Sequence, residues 1–167
     1  LEYAQRQGAI IYYDVNFRST HSSEMMKLTP TIIENFEYAD IVRGSDEDFD
    51  NMYQLNTPND IYRQKVSFYC PNFICTRGAK GVSLRTKKLA KDYEVPVIQP
   101  ISTIGAGDNF NAGIAFGLLY HRIRHADLPD LTEHDWDNII SCGIDFSAQV
   151  CMSLDNYVSK EFAHQYK

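Results

Sequence analysis

Residues 102–113, Ser-Thr-Ile-Gly-Ala-Gly-Asp-Asn-Phe-Asn-Ala-Gly, constrain this chain more than any other stretch. The β-branched pair Thr103 and Ile104 runs into Gly105 and Gly107, an acid follows at Asp108, and small and apolar residues continue to Tyr120. Glycines at this spacing permit a tight turn with positive φ, and the small residues predict a closely packed helix behind it. Such a turn aims backbone N–H groups and the positive end of the helix at one point, which attracts a phosphate. Asp108 at its rim is placed to accept a proton rather than to neutralise the site. A dinucleotide fingerprint would need a third glycine where Phe110 stands, and a P-loop would end in Gly-Lys-Ser/Thr, so neither motif is present. Taken alone, the glycines also fit a plain connection between helix and strand.

The 167 residues are enough for one domain with a proper core. A net charge of −6 argues against a general nucleic-acid or anionic-membrane surface. It leaves room for a local anion site, because backbone N–H groups carry no formal charge. Cys70, Cys75, Cys142 and Cys151 show no metal-ligand spacing and sit in apolar company, which predicts buried free thiols and a cytoplasmic protein. No signal peptide is visible, and the longest apolar run, residues 112–120, is too short to span a bilayer.

Along the chain, residues 1–8 read as the tail of a helix with Gly8 as its C-cap, and residues 9–13 as a buried strand. That strand ends on Asp14-Val15-Asn16-Phe17-Arg18, at the edge where open α/β sheets bind ligands. Thr29 and Pro30 predict a helix start, with Thr29 as the cap. Residues 39–42 form the next strand, followed by a capping arrangement of Ser45 and Asp48. Residues 51–60 are polar and turn-rich, 61–69 are helical up to Pro71, and 73–76 form a strand ending in the turn Arg77-Gly78-Ala79-Lys80-Gly81. Residues 82–85 and 93–98 alternate as antiparallel strands near a sheet edge. Residues 135–152 and 159–166 are helical. Strands alternating with helices mean an α/β fold with a mainly parallel sheet flanked by helices.

Four segments together resemble the ribokinase-like (PfkB) carbohydrate kinases: Gly105-Ala106-Gly107-Asp108, the Asp-x-Asn-x-Arg of residues 14–18, the turn from Thr76 to Gly81, and Ser45 to Asp48 in place of Asn-x-x-Glu. Their order and rough spacing agree with that family over nearly the whole chain. The resemblance implies ATP-dependent phosphorylation of a sugar hydroxyl, with Mg²⁺ and Asp108 as general base. The N–H groups of Gly105, Ala106 and Gly107 would form the anion hole. Thr76, Gly78 and Gly81 would lie along the nucleotide, with Gly143, Ile144 and Ser147 by position at the adenine. Asn16 and Arg18 would face a fructose-like or 2-keto-3-deoxygluconate-like substrate, and Asp48 would reach the metal through water.

Several positions depart from the pattern. Asp48 is shorter than the expected Glu, so its capping role competes with the metal role. Ser102 stands where many relatives carry an Asp that helps bind a monovalent cation, which argues against potassium activation. Family members are nearly twice this length. The resemblance therefore implies that residues 1–167 are the C-terminal portion of one kinase domain, without the N-terminal half and its lid. A sheet so shortened would expose an edge and an apolar face and favour homo-oligomers. Two other functions fit the same residues: a non-catalytic nucleotide-binding remnant, and a vitamin or nucleoside kinase of the same superfamily. Gly113 and Gly117, four apart, predict close packing of their helix on the sheet, Trp136 reads as a packing residue, and His121 and His125 as surface side chains.

Overall fold

Short apolar runs that end on polar residues become a five-stranded sheet, in the order β1 (Tyr12–Asp14), β2 (Ile41–Ser45), β3 (Asn72–Thr76), β4 (Val82–Arg85) and β5 (Ala90–Tyr93). In this computed structural model, which describes residues 1–166, β1 to β3 are parallel, while β4 and β5 are antiparallel to their neighbours. The sheet is therefore mixed, its parallel part confined to three strands. It belongs to the first of two compact units, Leu1–Glu94; the second is Val95–Lys167.

In the first unit, α1 (Glu2–Arg6), α2 (Met25–Tyr38), α3 (Asp46–Tyr53) and α4 (Pro58–Ile61) connect the strands. Period-two alternation places Val42 and Phe73 on the sheet face that shares a core with Phe36, Phe49, Ile61 and Val66. The residues of the opposite face, Ile41, Ile74 and Leu84, are fully buried as well. Gly8 follows the end of α1 at φ 71°, the left-handed conformation expected after a helix C-cap.

Several boundaries differ from those read in the sequence. Helix α2 starts four residues before Thr29 and keeps Pro30 inside it, preceded by a 3-10 segment, Ser19–Glu24. Thr29 is not its cap; its hydroxyl donates to the Met25 carbonyl at 2.7 Å. Helix α3 runs through Asn51 to Tyr53, and α4 continues into a π-helical stretch, Tyr62–Val66. Strand β5 lies earlier than residues 93–98. The Thr86 N–H donates to the Leu89 carbonyl at 2.8 Å, closing the hairpin early, and Pro96 has no N–H to extend a ladder.

The second unit is built on α5 (Ala106–Tyr120) and α6 (Glu133–Cys151), followed by α7 (Lys160–Ala163). Thr132 and Asp135 form a capping box at the start of α6, which contains the buried Trp136. A Cβ on Gly113 would run into the Cys142 carbonyl, and one on Gly117 would approach the Ile139 Cα to 3.1 Å. These glycines bring α5 close to α6, where the sequence pattern had suggested packing on the sheet. All four cysteines are buried and unpaired, as expected. Among the described residues no helix is long and apolar enough to cross a membrane.

Candidate functional site

The parallel strands carry the first group of site residues to their C-terminal ends. Asp14 closes β1, Ser45 closes β2 and Thr76 closes β3, with Ser45 level with Thr76. Just beyond β1, Asn16 adopts φ 42°, a conformation Asn tolerates better than most residues. Arg18 is exposed and makes no ion pair among the described residues, so the structure does not tie it down as a salt-bridge partner. The Asp48 carboxylate accepts from the Ser45 N–H at 2.6 Å and from the Ser45 hydroxyl at 2.7 Å, and its own N–H donates to that hydroxyl at 3.0 Å. This capping box accounts for Asp48, which is buried. The expected water-mediated metal role gains no support from that placement.

After β3 the chain makes a 3-10 turn, Gly78–Lys80. Gly78 is exposed at φ 53° with open space where a Cβ would be. At Gly81 (φ 101°) a Cβ would collide with the Tyr93 carbonyl, so packing against β5 requires a glycine there whatever binds nearby.

Arg43 was not singled out in the sequence. It is buried in β2, the middle of the three parallel strands, two residues before the cap of α3. Its Nη1 donates to Asp14 Oδ1 at 3.0 Å and its Nη2 to the Thr76 hydroxyl at 2.6 Å. An arginine inside an otherwise apolar strand was the available signal.

The second group surrounds the start of α5. Gly105 is its N-cap at φ 80°, as the tight turn requires. The Ala106 N–H donates to the Thr103 carbonyl at 3.2 Å and the Asn109 N–H to the Gly105 carbonyl at 2.9 Å. Among the described residues, that leaves the N–H groups of Gly105, Gly107 and Asp108 without acceptors, the orphan donors of a helix start. Ala106, a member of the expected trio, spends its N–H on the Thr103 carbonyl, while Asp108, outside that trio, has an open one. The Asp108 carboxylate is exposed and has no hydrogen bond among the described residues. Asn109, also not singled out in the sequence, is buried, and its amide donates to the carbonyls of Gly105 and Asn156, both at 3.0 Å. It ties the turn to the loop that follows α6.

Gly143 and Ser147 both lie on α6. A Cβ on Gly143 would meet Ile114 and Phe110 at 2.9 Å, so helix packing explains this glycine without a ligand. Ile144 is buried and Ser147 half-buried. His121 is exposed, and neither it nor His125 belongs to a metal-holding group of acidic, His or Cys side chains among the described residues.

Polar residues at the ends of parallel strands are placed where α/β sheets bind ligands, and an open helix start behind a Gly-x-Gly-Asp turn is suited to an anion. The chain belongs to the pfkB family of carbohydrate kinases, whose pattern matches residues 1–153. It is 28% identical over 127 residues to a 5-dehydro-2-deoxygluconokinase of Geobacillus thermodenitrificans, covering 71% of this chain and 37% of that protein. It is 27% identical over 124 residues to a fructokinase of Vibrio alginolyticus, covering 74% of this chain and 39% of that one. A fructokinase double mutant of Vibrio cholerae O395, solved with fructose, ADP and a potassium ion, superposes with a TM-score of 0.81 at 19% identity, covering 99% of this chain and 53% of its own. That likeness shows the ribokinase-like fold. The chain spans about two fifths of the length of these curated relatives.

Proposed function

We propose that this chain serves ATP-dependent transfer of a phosphoryl group to a sugar hydroxyl. Phosphoryl transfer needs alignment, charge neutralisation and a group to take the acceptor's proton. Asp108 is the general base in this reading. The open N–H groups of Gly105, Gly107 and Asp108 hold the oxygens of the transferring group, helped by the dipole of α5. The exposed turn at Gly78 gives backbone access to the nucleotide, and Asn16 and Arg18 face the acceptor. Their Asp-x-Asn-x-Arg setting, and the sugar acids and fructose handled by the named relatives, favour a fructose-like or 2-keto-3-deoxygluconate-like substrate.

The donors present fit a triphosphate. With Asp48 committed to its cap, Mg²⁺ would arrive on the nucleotide's own phosphates, where it supplies charge neutralisation. Ser102 donates no carboxylate, and its hydroxyl accepts from the Ile104 N–H at 3.2 Å, so potassium is not part of the reading.

The single observation that carries the proposal is an exposed, uncommitted carboxylate, Asp108, in the first turn of a helix whose start has open N–H donors. Calorimetric titration with Mg·ATP, followed by sugar-dependent ADP release, tests it. Asp108→Asn should lower turnover by about 10²–10⁴ while leaving Mg·ATP affinity undiminished; near-normal turnover would sink the assignment. A chain that binds Mg·ATP but turns over no acceptor carries nucleotide binding alone. A panel of sugars, nucleosides and vitamin alcohols separates a sugar kinase from the other acceptor classes.

A further inference from the structure

Arg43 occupies a position where an aliphatic side chain would be the simpler choice, since β2 is the middle strand of the parallel group and its Ile41 and Val42 are fully buried. Burying a guanidinium unpaired costs on the order of several kcal/mol, so a charge there calls for partners; Nη1 and Nη2 have acceptors, whereas Nε is buried without one among the described residues. The register supplies the partners. Arg43 lies level with Asp14 on β1 and with Ile74 on β3, so Asp14, Arg43 and, two residues past Ile74, Thr76 share one face of the sheet. Only a residue of the middle parallel strand can reach both neighbours, and a rigid planar fork spreads its donors toward both better than a compact ammonium does.

We infer that Arg43 is a positioning residue: by bonding Asp14 and Thr76 together, it couples the Asp14–Arg18 segment after β1 to the Thr76–Gly81 turn after β3. That the segment serves the acceptor and the turn the nucleotide rests on the reading under Proposed function; the coupling itself does not. The two bonded ends lie 62 residues apart in sequence, 29 from Asp14 to Arg43 and 33 from Arg43 to Thr76. A change at one end is therefore carried to the other by a side chain rather than by the chain path. Arg43→Lys keeps a charge beside Asp14 but offers a single ammonium, so it breaks the two-way link with the least disturbance of the core.

The test is a set of variants of the 167-residue chain, Asp14→Asn, Thr76→Val and Arg43→Lys, singly and in pairs, followed by amide resonances and by Mg·ATP calorimetry. Asp14→Asn should move the amide resonances of residues 77–81, and this displacement should vanish in the Arg43→Lys background. The reverse, Thr76→Val moving the amides of residues 15–18, serves if Asp14→Asn proves unfolded. Asp14→Asn should also weaken Mg·ATP binding roughly tenfold in the native background and leave it unchanged in Arg43→Lys, a coupling of the size found within one hydrogen-bond network. A merely stabilising arginine would lower the melting temperature of each variant and leave the effects additive. Additive shifts and affinities would overturn the inference while leaving the nucleotide reading intact. Coupled amide shifts in a chain that binds no Mg·ATP would uphold the inference and overturn the nucleotide reading.

Discussion

The two groups of candidate site residues solve opposite problems. At the ends of β1 to β3 nearly every polar side chain is spoken for: Asp14 and Thr76 by Arg43, Ser45 and Asp48 by each other. At the start of α5, Asp108 and three N–H groups have no partner among the described residues. Satisfied polar groups hold a geometry, because breaking one bond strands its partner in a buried place. Unsatisfied, solvent-facing groups are free to meet a ligand. The contrast is between a first unit whose polar side chains are mostly satisfied and a second whose helix start stays open, although both match the same family pattern.

Four measurements would break or sharpen that contrast. The largest effect is expected from Asp108→Asn, which removes the uncommitted base and should abolish most acceptor-dependent ADP release without lowering the melting temperature; a loss of stability instead would count Asp108 among the satisfied groups. Gly113→Ala comes next. Its methyl group would meet the Cys142 carbonyl, and overpacking of this kind costs about 1–3 kcal/mol, which chemical denaturation would read directly. An unchanged denaturation midpoint would mean that α5 and α6 separate easily and that the open helix start is not rigidly backed. Asn109→Ala should cost about 1 kcal/mol by leaving the Asn156 carbonyl short of a donor, and should weaken phosphate or ATP binding at the turn. Full retention of both would show that the turn holds its shape unaided.

The smallest effect belongs to the first unit alone. Burial pushes the Cys70 thiol up to about 11 and the Cys75 thiol up to about 12, from an ordinary 9.0. Between 9.0 and those values the folded chain keeps protons that the unfolded chain has released. The stability this provides is complete below pH 9.0 and is lost as pH rises through about 11 and about 12. Urea midpoints should therefore fall across that alkaline window, and Cys75→Val should flatten the fall. A pH-independent midpoint would mean the thiols ionise in the folded state.

Much of the layout was legible because it rests on local rules. Ser45 with Asp48 announced a helix cap, Gly105 announced a left-handed turn, and apolar runs ending on Asp14 and Thr76 announced strand ends. Boundaries that depend on partners were not legible. Pro30 looked like a helix start because nothing local shows that α2 already has a turn in place before it. The strand expected at residues 93–98 followed a true alternation, but the hairpin at Thr86 to Leu89 had already set the pairing of Ala90 with Arg85. Ser45 and Asp48 fitted both a cap and a metal site on paper; the bond geometry shows the cap.

The sequence by itself determined the α/β class, the family, and the turn that presents Asp108. These follow from periodicity, from glycine's freedom at positive φ and from short motifs, all of which act within a few residues. Only the tertiary structure decided which polar groups are used up and which remain open. Arg43 meets partners 29 and 33 residues away, Asn109 meets a carbonyl 47 residues away, and Gly143 packs against Phe110 and Ile114. Whether a donor is satisfied depends on what the fold brings beside it, and distance along the chain does not encode that.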